Sequence, residues 1–502
     1  MLRRALPFAV TAILAGCASA GTQAAPRIGT PARDARAALR QFLDTLIDAP
    51  EFRSAQWGIM VVDPARADTL YARNADKLFM PASNMKLLTG TTALAQLGAN
   101  YRWSTSMLAR GVVRDSTLIG DLIVKGNGDP SISAHMQKGD ALAPLRALAD
   151  SLRAHGIARV RGKLVAAPSP FVDAPLGYGW SWSDLDDSYS AGVDALYFNE
   201  GFTEVVVRGG AHAGERVRAS TRPASSYPSL IVNAHTVGAL TSSASASDSN
   251  TARGITVSQD SSHTGVLVEG TLAAGDSMVV EITFRRQTEA YLAALQEAMA
   301  ARGISVEPGA AETTGDARPL FTMTSPRLAE VLPYFEKPSQ NQIGEILFKT
   351  LALEKTGVGR ADSAALVVER QVLAWGAAPD GFAVRDGSGL SRHDYVSPRT
   401  LVHVLDAIRL TPDFKLFYDA MPIAGVDGTI RNRMKGTAAE GNVHAKTGTL
   451  DKARSLSGYV TTADGRLLIV SALCNNFVVP TRRVDRVTDA LGAYLAAMRL
   501  SP

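Results

Sequence analysis

The chain has 502 residues, of which 46% are hydrophobic and 20% are charged, as in an ordinary globular protein with a large core. At roughly 150 residues per domain, this length predicts about three domains, or two of which one is enlarged by an insertion. The net charge of +4 is small and no basic cluster is interleaved with aromatic residues, so we expect no nucleic-acid partner. The two cysteines, Cys17 and Cys474, exclude a disulfide framework and a thiolate metal site, and we expect neither metal nor cofactor.

The N-terminus has the pattern of a secretory signal. Residues 1–16 contain Arg3 and Arg4, followed by an apolar run that is too short to span a bilayer. The run ends in Leu-Ala-Gly-Cys17, which resembles a bacterial lipoprotein cleavage box with Cys17 as the lipidated new N-terminus. The alternative is ordinary cleavage a few residues later, with Cys17 discarded. Both alternatives predict an exported, periplasmic protein, which lipidation of Cys17 would attach to the membrane.

Residues 17–34 are rich in Ala, Gly, Thr and Pro and are predicted to be a tether. An amphipathic helix is expected next, over Ala32–Leu46, and then a β-hairpin of Trp57–Val62 and Thr69–Ala72. From about residue 100 to 320, short strands rich in Val, Ile and Leu alternate with Gly-rich turns, and a Ser/Ala run at Thr241–Asn250 is predicted to be a solvated loop. Two helical segments interrupt the strands, near Leu142–His155 and Thr288–Arg302.

Helical patterning dominates again after residue 320. A β-hairpin with an Asp-Gly turn is predicted near the end, followed by a last amphipathic helix at Val484–Met498. The predicted helices before this hairpin are Pro326–Leu332, Asn341–Leu353, Ser363–Trp375 and Pro398–Leu410. We therefore predict an α+β catalytic domain of residues 35–99 and 321–502, interrupted by a mostly β insertion of residues 100–320.

Ser83 and Lys86 stand three residues apart at the start of a predicted helix. This spacing places both side chains on one helical face. The helix is apolar nearly all round, which is typical of a buried helix. Desolvation lowers the pKa of a lysine, so Lys86 is a candidate base and Ser83 a candidate nucleophile. The structural alternative is that Ser83 simply caps the helix.

Two further short motifs occur in the second half of the chain. Ser339-Gln-Asn341 stands at a predicted helix start, where Ser339 is also a plausible helix cap. Lys446-Thr447-Gly448 opens an extended segment. A second Lys-Thr-Gly, at Lys355, lies at the end of a predicted helix, where Lys and Gly are ordinary C-terminal signals. We therefore interpret Lys355 as structural and Lys446 as functional.

The order S-x-x-K, S-x-N, K-T-G is the signature set of penicillin-binding proteins and serine β-lactamases. About half of the chain separates Ser83 from Ser339, and this long insertion resembles the D-alanyl-D-alanine carboxypeptidase/endopeptidase family of the DacB, or penicillin-binding protein 4, type. Three more segments resemble that family, over residues 120–130, 182–185 and 386–392. The resemblance extends from about residue 35 to 500.

The resemblance implies acyl transfer on a peptidoglycan stem peptide that ends in D-Ala-D-Ala. Ser83 would attack the penultimate carbonyl with Lys86 as its base, and Ser339 would relay a proton to the leaving nitrogen. Asn341 would either donate its amide to the substrate or hold Lys86. The backbone N–H groups of Ser83 and Thr449 would form the oxyanion hole.

The substrate-binding residues are also implied by the resemblance. Lys446 and Thr447 would hold the terminal carboxylate, and the peptide would add as a strand along residues 446–451, where Gly448 allows close approach. Four further side chains would surround the diaminopimelate side chain or the substrate's acidic groups: Asp184, Tyr189, Arg392 and Asp451. A structural turn for Asp184 and a salt bridge for Arg392 are the alternatives, and Asp451 stands where a neutral polar residue is expected.

The motifs are compatible with three functions. The first is a serine D-Ala-D-Ala carboxypeptidase that also cleaves D,D crosslinks as an endopeptidase, and that β-lactams inhibit by acylating Ser83. The second is a β-lactamase or esterase with the same site, and the third is a non-catalytic peptidoglycan-binding protein. The sequence singles out no glutamate as the base for deacylation, and it leaves the oligomeric state open.

Overall fold

The computed structural model describes residues 32–238, 254–309 and 316–500. The predicted signal peptide, Cys17 with the tether up to residue 31, and the loop predicted at Thr241–Asn250 lie outside the described residues. Within the described ranges, every helix is too short or too polar to cross a membrane.

The α-helices of the described residues are, in chain order, α1 (Ala32–Ile47), α2 (Met85–Leu97), α3 (Ala143–Ala154), α4 (Gln287–Ala301), α5 (Leu328–Glu336), α6 (Asn341–Thr356), α7 (Ala361–Ala374), α8 (Pro398–Arg409), α9 (Phe414–Ala420) and α10 (Thr481–Ala497). The strands are β1 (Gln56–Asp63), β2 (Asp68–Arg73), β3 (Ser104–Arg114), β4 (Thr117–Gly126), β5 (Arg159–Arg161), β6 (Leu164–Ala166), β7 (Phe202–Arg208), β8 (Arg218–Arg222), β9 (Ser229–Val237), β10 (Ile255–Gln259), β11 (Gly265–Ala273), β12 (Ser277–Thr283), β13 (Ser305–Glu307), β14 (Arg318–Thr324), β15 (Phe382–Ala383), β16 (Tyr395–Val396), β17 (His444–Leu450), β18 (Ala453–Thr461) and β19 (Leu467–Asn475).

Strands from both ends of the chain form one five-stranded antiparallel sheet in the order β17-β18-β19-β1-β2. Both predicted hairpins, β1-β2 and β18-β19, are confirmed. β1 joins the two hairpins by pairing with β19, with Trp57 opposite Cys474. Cys474 is buried in the core, with a free thiol.

Both faces of this sheet are covered, because successive side chains of a strand point to opposite faces. Ile59 and Val61 pack into the cluster on the α1 and α10 side, whereas Met60 packs into the cluster that contains α2, α6 and α8. Helix α2 lies inside the second cluster, and every residue from Met85 to Leu94 is buried. The prediction of a buried, apolar helix after Ser83 is therefore confirmed.

The chain between α2 and α5 forms three further sheets, ordered β13-β5-β4-β3-β14 with β6 on β4, β12-β7-β8, and β10-β11-β9. Helices α3 and α4 pack on the first of these around Leu145, Leu148 and Leu295. The pairing is mostly antiparallel, with parallel pairs between β9 and β11 and between β4 and β5. The mixture of helices and largely antiparallel sheets agrees with the predicted α+β class. The domain boundaries at residues 100 and 320 stay a prediction.

One predicted boundary is wrong in a way that concerns the site. The helix predicted at Pro326–Leu332 continues to Glu336 as α5 and includes Pro333. Leu332 and Phe335 are buried one turn apart from Leu328 and Val331, so the apolar face continues through the proline. Helix α5 consequently delivers Glu336 to the protein interior.

Candidate active site

Ser83 lies in a short 3-10 turn, Ala82–Asn84, that leads directly into α2. Its Oγ lies 2.9 Å from Lys86 Nζ, so the two side chains meet as their spacing predicts. Ser83 does not cap α2, because the N-cap position belongs to Asn84. The turn and the first turn of α2 thus present the hydroxyl and the amine side by side.

Lys86 is completely buried and has three oxygen neighbours. Its Nζ lies 2.6 Å from Asn341 Oδ1, 2.7 Å from the Ser388 carbonyl oxygen and 2.9 Å from Ser83 Oγ. A neutral amine has two N–H donors and one lone pair. Donation to Asn341 and Ser388 leaves the lone pair directed at the Ser83 hydroxyl, the arrangement that a general base requires.

Burial lowers the pKa of Lys86 well below its ordinary value, and the charge of Lys446 lowers it further. Carboxylates at Asp386, Glu336 and Glu345 act in the opposite direction. Burial also lowers the pKa of Lys446, and the negative charge of Glu336 partly reverses this effect. The surroundings therefore favour a neutral amine at Lys86 beside a second lysine whose charge is supported by a carboxylate.

In the second motif, Ser339 precedes the N-cap residue of α6 and Asn341 follows it. Gln340, rather than Ser339, caps α6, since its side chain accepts hydrogen bonds from Gln342 N and Ile343 N. Ser339 has a φ of 66°, a strained backbone conformation of the kind that functional sites retain. Asn341 donates its amide to the Tyr189 carbonyl oxygen at 2.7 Å while its Oδ1 contacts Lys86. Of the two roles expected for Asn341, this geometry favours holding Lys86.

The third motif lies on β17, the edge strand of the five-stranded sheet. Lys446 Nζ donates to Ser339 Oγ at 2.7 Å, which connects the second and third motifs. The nucleophile turn is tied to the same strand, because Asn84 donates its side-chain amide to the Lys446 carbonyl at 2.9 Å. In contrast, Lys355 is exposed in the last turn of α6, before a C-terminal glycine at 357, as expected of a structural motif.

A cleft of about 510 Å³ opens beside Ser83. It brings together residues from the turn that carries Ser83, from α6, α10, β17 and β18, and from the segments that carry Asp184 and Arg392. The side chains and backbone that line it are Ser83, Asp184, Tyr189, Asn341, Gly389, Leu390, Arg392, Thr449, Leu450, Asp451, Lys452, Arg454, Phe477 and Thr481. Thr447 lies on the same strand, where its hydroxyl donates to Thr429 Oγ1 at 2.6 Å.

The predicted specificity residues all line this cleft. Arg392 lines the cleft and forms no salt bridge with another described residue, so its guanidinium is available to an anionic ligand. Asp184 accepts a side-chain hydrogen bond from the neighbouring Ser183 hydroxyl, at 3.0 Å. Tyr189 is half exposed and donates to Asp187 at 2.8 Å. Asp451 extends into solvent, with 70% of its side chain exposed and Lys452 Nζ 3.8 Å away.

Sequence reasoning assigned no role to several residues of the site, although Asp386 and Ser388 lie in the segment 386–392 that resembles the family. The Ser388 carbonyl contacts Lys86 through the backbone, and Asn84 ties the nucleophile turn to β17. Behind them lie the buried carboxylates of Asp386, Glu345 and Glu336. Asp386 and Glu345 accept backbone N–H bonds from residues 387–391, which shape the loop around Lys86.

Comparison with known proteins agrees with this geometry. Residues 39–497 match the sequence profile of the D-Ala-D-Ala carboxypeptidase 3 (S13) family. The chain is 33% identical over 475 residues to a D-alanyl-D-alanine carboxypeptidase of Actinomadura sp. strain R39, covering 91% of this chain and 84% of that protein. It is 27% identical over 423 residues to the D-alanyl-D-alanine carboxypeptidase DacB of Haemophilus influenzae, covering 80% of this chain and 82% of that one.

The fold of the chain is also similar to that of a solved penicillin binding protein. The crystal structure of penicillin binding protein 4 from Haemophilus influenzae superimposes with a TM-score of 0.74 at 25% identity, covering 91% of this chain and 98% of that chain. The resemblance inferred from the three motifs is therefore confirmed by the family match and by the fold. The chain belongs to the D-Ala-D-Ala carboxypeptidase 3 (S13) family.

Proposed function

We propose that this protein is a serine D-Ala-D-Ala carboxypeptidase that acts on peptidoglycan stem peptides through an acyl-enzyme on Ser83. The observation that carries the proposal is the pairing of two buried lysines with two serines, Lys86 with Ser83 at 2.9 Å and Lys446 with Ser339 at 2.7 Å. The activities named for the relatives from Actinomadura and Haemophilus support the same reaction.

Acylation is assigned to Ser83 and Lys86. As Ser83 Oγ attacks the carbonyl carbon of the penultimate residue, its proton passes to the lone pair of Lys86 Nζ. The backbone N–H groups of Ser83 and Thr449 stabilise the developing oxyanion. The proton reaches the leaving nitrogen through Ser339, the C–N bond breaks, and D-alanine departs as the amine.

Substrate binding is assigned to β17 and the cleft. The edge strand accepts the peptide as an added strand, while Lys446 and Thr447 bind the terminal carboxylate. The diaminopimelate side chain carries an ammonium and a carboxylate, which match Asp184 and Arg392 respectively. Asp451 adds a negative charge to the lining of the cleft, and Tyr189 forms a wall.

A D,D-endopeptidase activity follows from the same acylation step. Cleavage of a crosslink differs only in the amine that leaves, which is then a neighbouring stem peptide. β-Lactams would acylate Ser83 in the same way.

We also propose that residues 35–99 and 321–502 form the catalytic domain around the insertion of residues 100–320. We further propose that the chain is exported and anchored to the membrane through Cys17. Membrane fractionation of cells tests this anchoring directly.

Incubation with purified crosslinked muropeptides tests the proposal. The wild type is expected to remove one alanine mass, to split dimers, or to do both, and Ser83→Ala is expected to abolish these products. Mass spectrometry measures them, and the folded state of Ser83→Ala is checked by its thermal unfolding. Muropeptide processing that survives Ser83→Ala would contradict the site. Rapid turnover of a β-lactam, in place of a persistent Ser83 adduct, would indicate a β-lactamase instead.

A further inference from the structure

Glu336 is a buried carboxylate to which the mechanism above gives no role. It is the last residue of α5 and is 0% exposed. Neither of its carboxylate oxygens has a hydrogen-bond partner among the described residues. An isolated buried carboxylate is strongly unfavourable unless opposite charges compensate it. The position of Glu336 therefore calls for a cationic neighbour.

The carboxylate of Glu336 is inserted against the helix that carries Lys86. Its Oε1 lies 2.8 Å from the point where a Cβ on Gly90 would stand. Gly90 follows Lys86 by one helical turn and lies on the same face of α2. A side chain at position 90 would displace the carboxylate, so the glycine makes room for it beside Lys86.

Glu336 is electrostatically coupled to both lysines of the site. Burial raises the pKa of Glu336 to about 7, and the positive charges of Lys446 and Lys86 limit this rise. In return, the negative charge of Glu336 raises the pKa of Lys446 and of Lys86. The adjacent cation in the chain, Lys337, is paired instead with Asp427 at 2.7 Å.

The remaining carboxylates differ from Glu336 in their bonding. Asp386 and Glu345 act on Lys86, but both accept backbone hydrogen bonds from the loop around residues 387–391. Asp386 and Glu345 are thus stabilised by hydrogen bonds from the backbone. The carboxylate of Glu336 has no hydrogen-bond partner in the described part of the chain, and the positive charges of the two lysines oppose the cost of its burial. Glu336 is also the carboxylate that acts on Lys446.

We propose that Glu336 is the buried counter-charge of Lys446, which supports that lysine as the ammonium, while Lys86 remains the neutral partner of Ser83 because of its own burial. A buried carboxylate and a buried ammonium compensate each other, which favours charge on both Glu336 and Lys446. Burial and the charge of Lys446 favour the neutral form of Lys86. Glu336 touches neither Ser83 nor the substrate and is a positioning residue. This inference rests on the proposed function, in which Lys86 is the base and Lys446 binds the carboxylate.

The test is the pH profile of Ser83 acylation by a chromogenic cephalosporin, measured in the full chain from about pH 5 to about pH 10. The acid limb reports the ionisation of Glu336 together with loss of the proton from Lys86, and the alkaline limb reports loss of the proton from Lys446. Glu336→Gln removes a negative charge that raises both pKa values, so both limbs are expected to move to lower pH by about one unit or more. Glu336→Asp keeps the charge one methylene further away and is expected to shift both limbs less, in the same direction.

Glu330→Gln is the matched control, because it makes the same change on the exposed first turn of α5. It is expected to leave the profile in place. Limbs that stay at the wild-type pH in Glu336→Gln, with only a lower maximum rate, would overturn the proposal and indicate a structural role.

A separate readout distinguishes the two proposals. If the wild type is not acylated, the proposed function fails, and the titration of Lys446 followed by NMR of isotope-labelled lysine still tests Glu336. An unchanged Lys446 titration in Glu336→Gln would overturn the counter-charge, whereas a lower pKa of Lys446 would support it. If Glu336→Gln does not fold, Glu336→Asp is measured in both experiments.

Discussion

At the scale of single residues, the close approach of β17 to the Ser83 turn depends on the absence of a side chain at Gly448. A Cβ at this position would overlap the Ser455 hydroxyl and the Pro81 carbonyl oxygen, which are themselves hydrogen-bonded at 2.7 Å. Gly448→Ala is therefore expected to push β17 away from the Ser83 turn and to separate Lys446 from Ser83. Because a displacement of about 1 Å can cost on the order of 100-fold in rate, acylation by a β-lactam should fall by about that factor.

The matched control for Gly448→Ala is Gly238→Ala, at an exposed glycine where an added Cβ would meet no described atom within 4 Å. It is expected to leave the acylation rate unchanged. A Gly448→Ala protein with wild-type acylation kinetics would show that the strand and the turn tolerate separation. Thermal unfolding of both variants distinguishes a displaced strand from an unfolded protein.

At the scale of elements, the Gln340 side chain makes two contacts at the start of α6. The side-chain carbonyl oxygen of Gln340 caps the helix at 2.6 Å from Gln342 N, and its amide donates to Glu200 Oε2 at 2.9 Å. Gln340→Ala removes both contacts and is expected to cost about 1 kcal/mol of stability, as loss of a helix cap does. Acylation is expected to slow as well, because Ser339 and Asn341 flank the cap. Chemical denaturation and β-lactam acylation measure the two effects.

Gln340→Asn separates the cap from the contact with Glu200. Asparagine is a good N-cap, but its side chain is one methylene shorter and does not reach Glu200. This variant should retain most of the stability that Gln340→Ala loses. Equal stability of Gln340→Ala and wild type would refute the capping role that the geometry assigns to Gln340.

At the scale of the whole molecule, the segment between α2 and α5 is attached to the helices of the site. Lys349 on α6 is 6% exposed at its side chain and lies 3.1 Å from Asp173, which also accepts the backbone N–H of Ala361 at the start of α7. Asp173→Asn leaves the Lys349 ammonium buried without a counter-ion. We expect a loss of about 3 kcal/mol, because breaking a buried pair from one side is strongly destabilising.

The control for Asp173→Asn is Asp76→Asn, which breaks an exposed pair with Arg399. Exposed pairs contribute little, so its unfolding midpoint should stay at the wild-type value. Thermal unfolding and limited proteolysis of both variants test the prediction. Equal midpoints for Asp173→Asn and the wild type would mean that this contact does not hold the two parts of the chain together.

The sequence was most informative where the physics is local. The apolar stretch after Ser83 predicts a buried helix, the Asp-Gly turn predicts the β18-β19 hairpin, and both are present. The three motifs predict the chemistry, because each joins residue types that serve acyl transfer at a spacing set by a single turn or strand. These patterns need only neighbours within a few residues of each other.

Only the tertiary structure decided the rest. The pairing of β1 with β19 and the edge position of β17 join residues from opposite ends of the chain, and no local periodicity encodes such a partner. The Ser388 carbonyl at Lys86 is backbone, which has no signature in the sequence. In the sequence, Glu336 is simply the last residue of an amphipathic helix. It becomes a buried carboxylate only because α5 packs against Gly90 and near the two lysines. The motif residues were thus determined by local chemistry, whereas their charge states depend on long-range packing, because burial and neighbouring charges set a pKa.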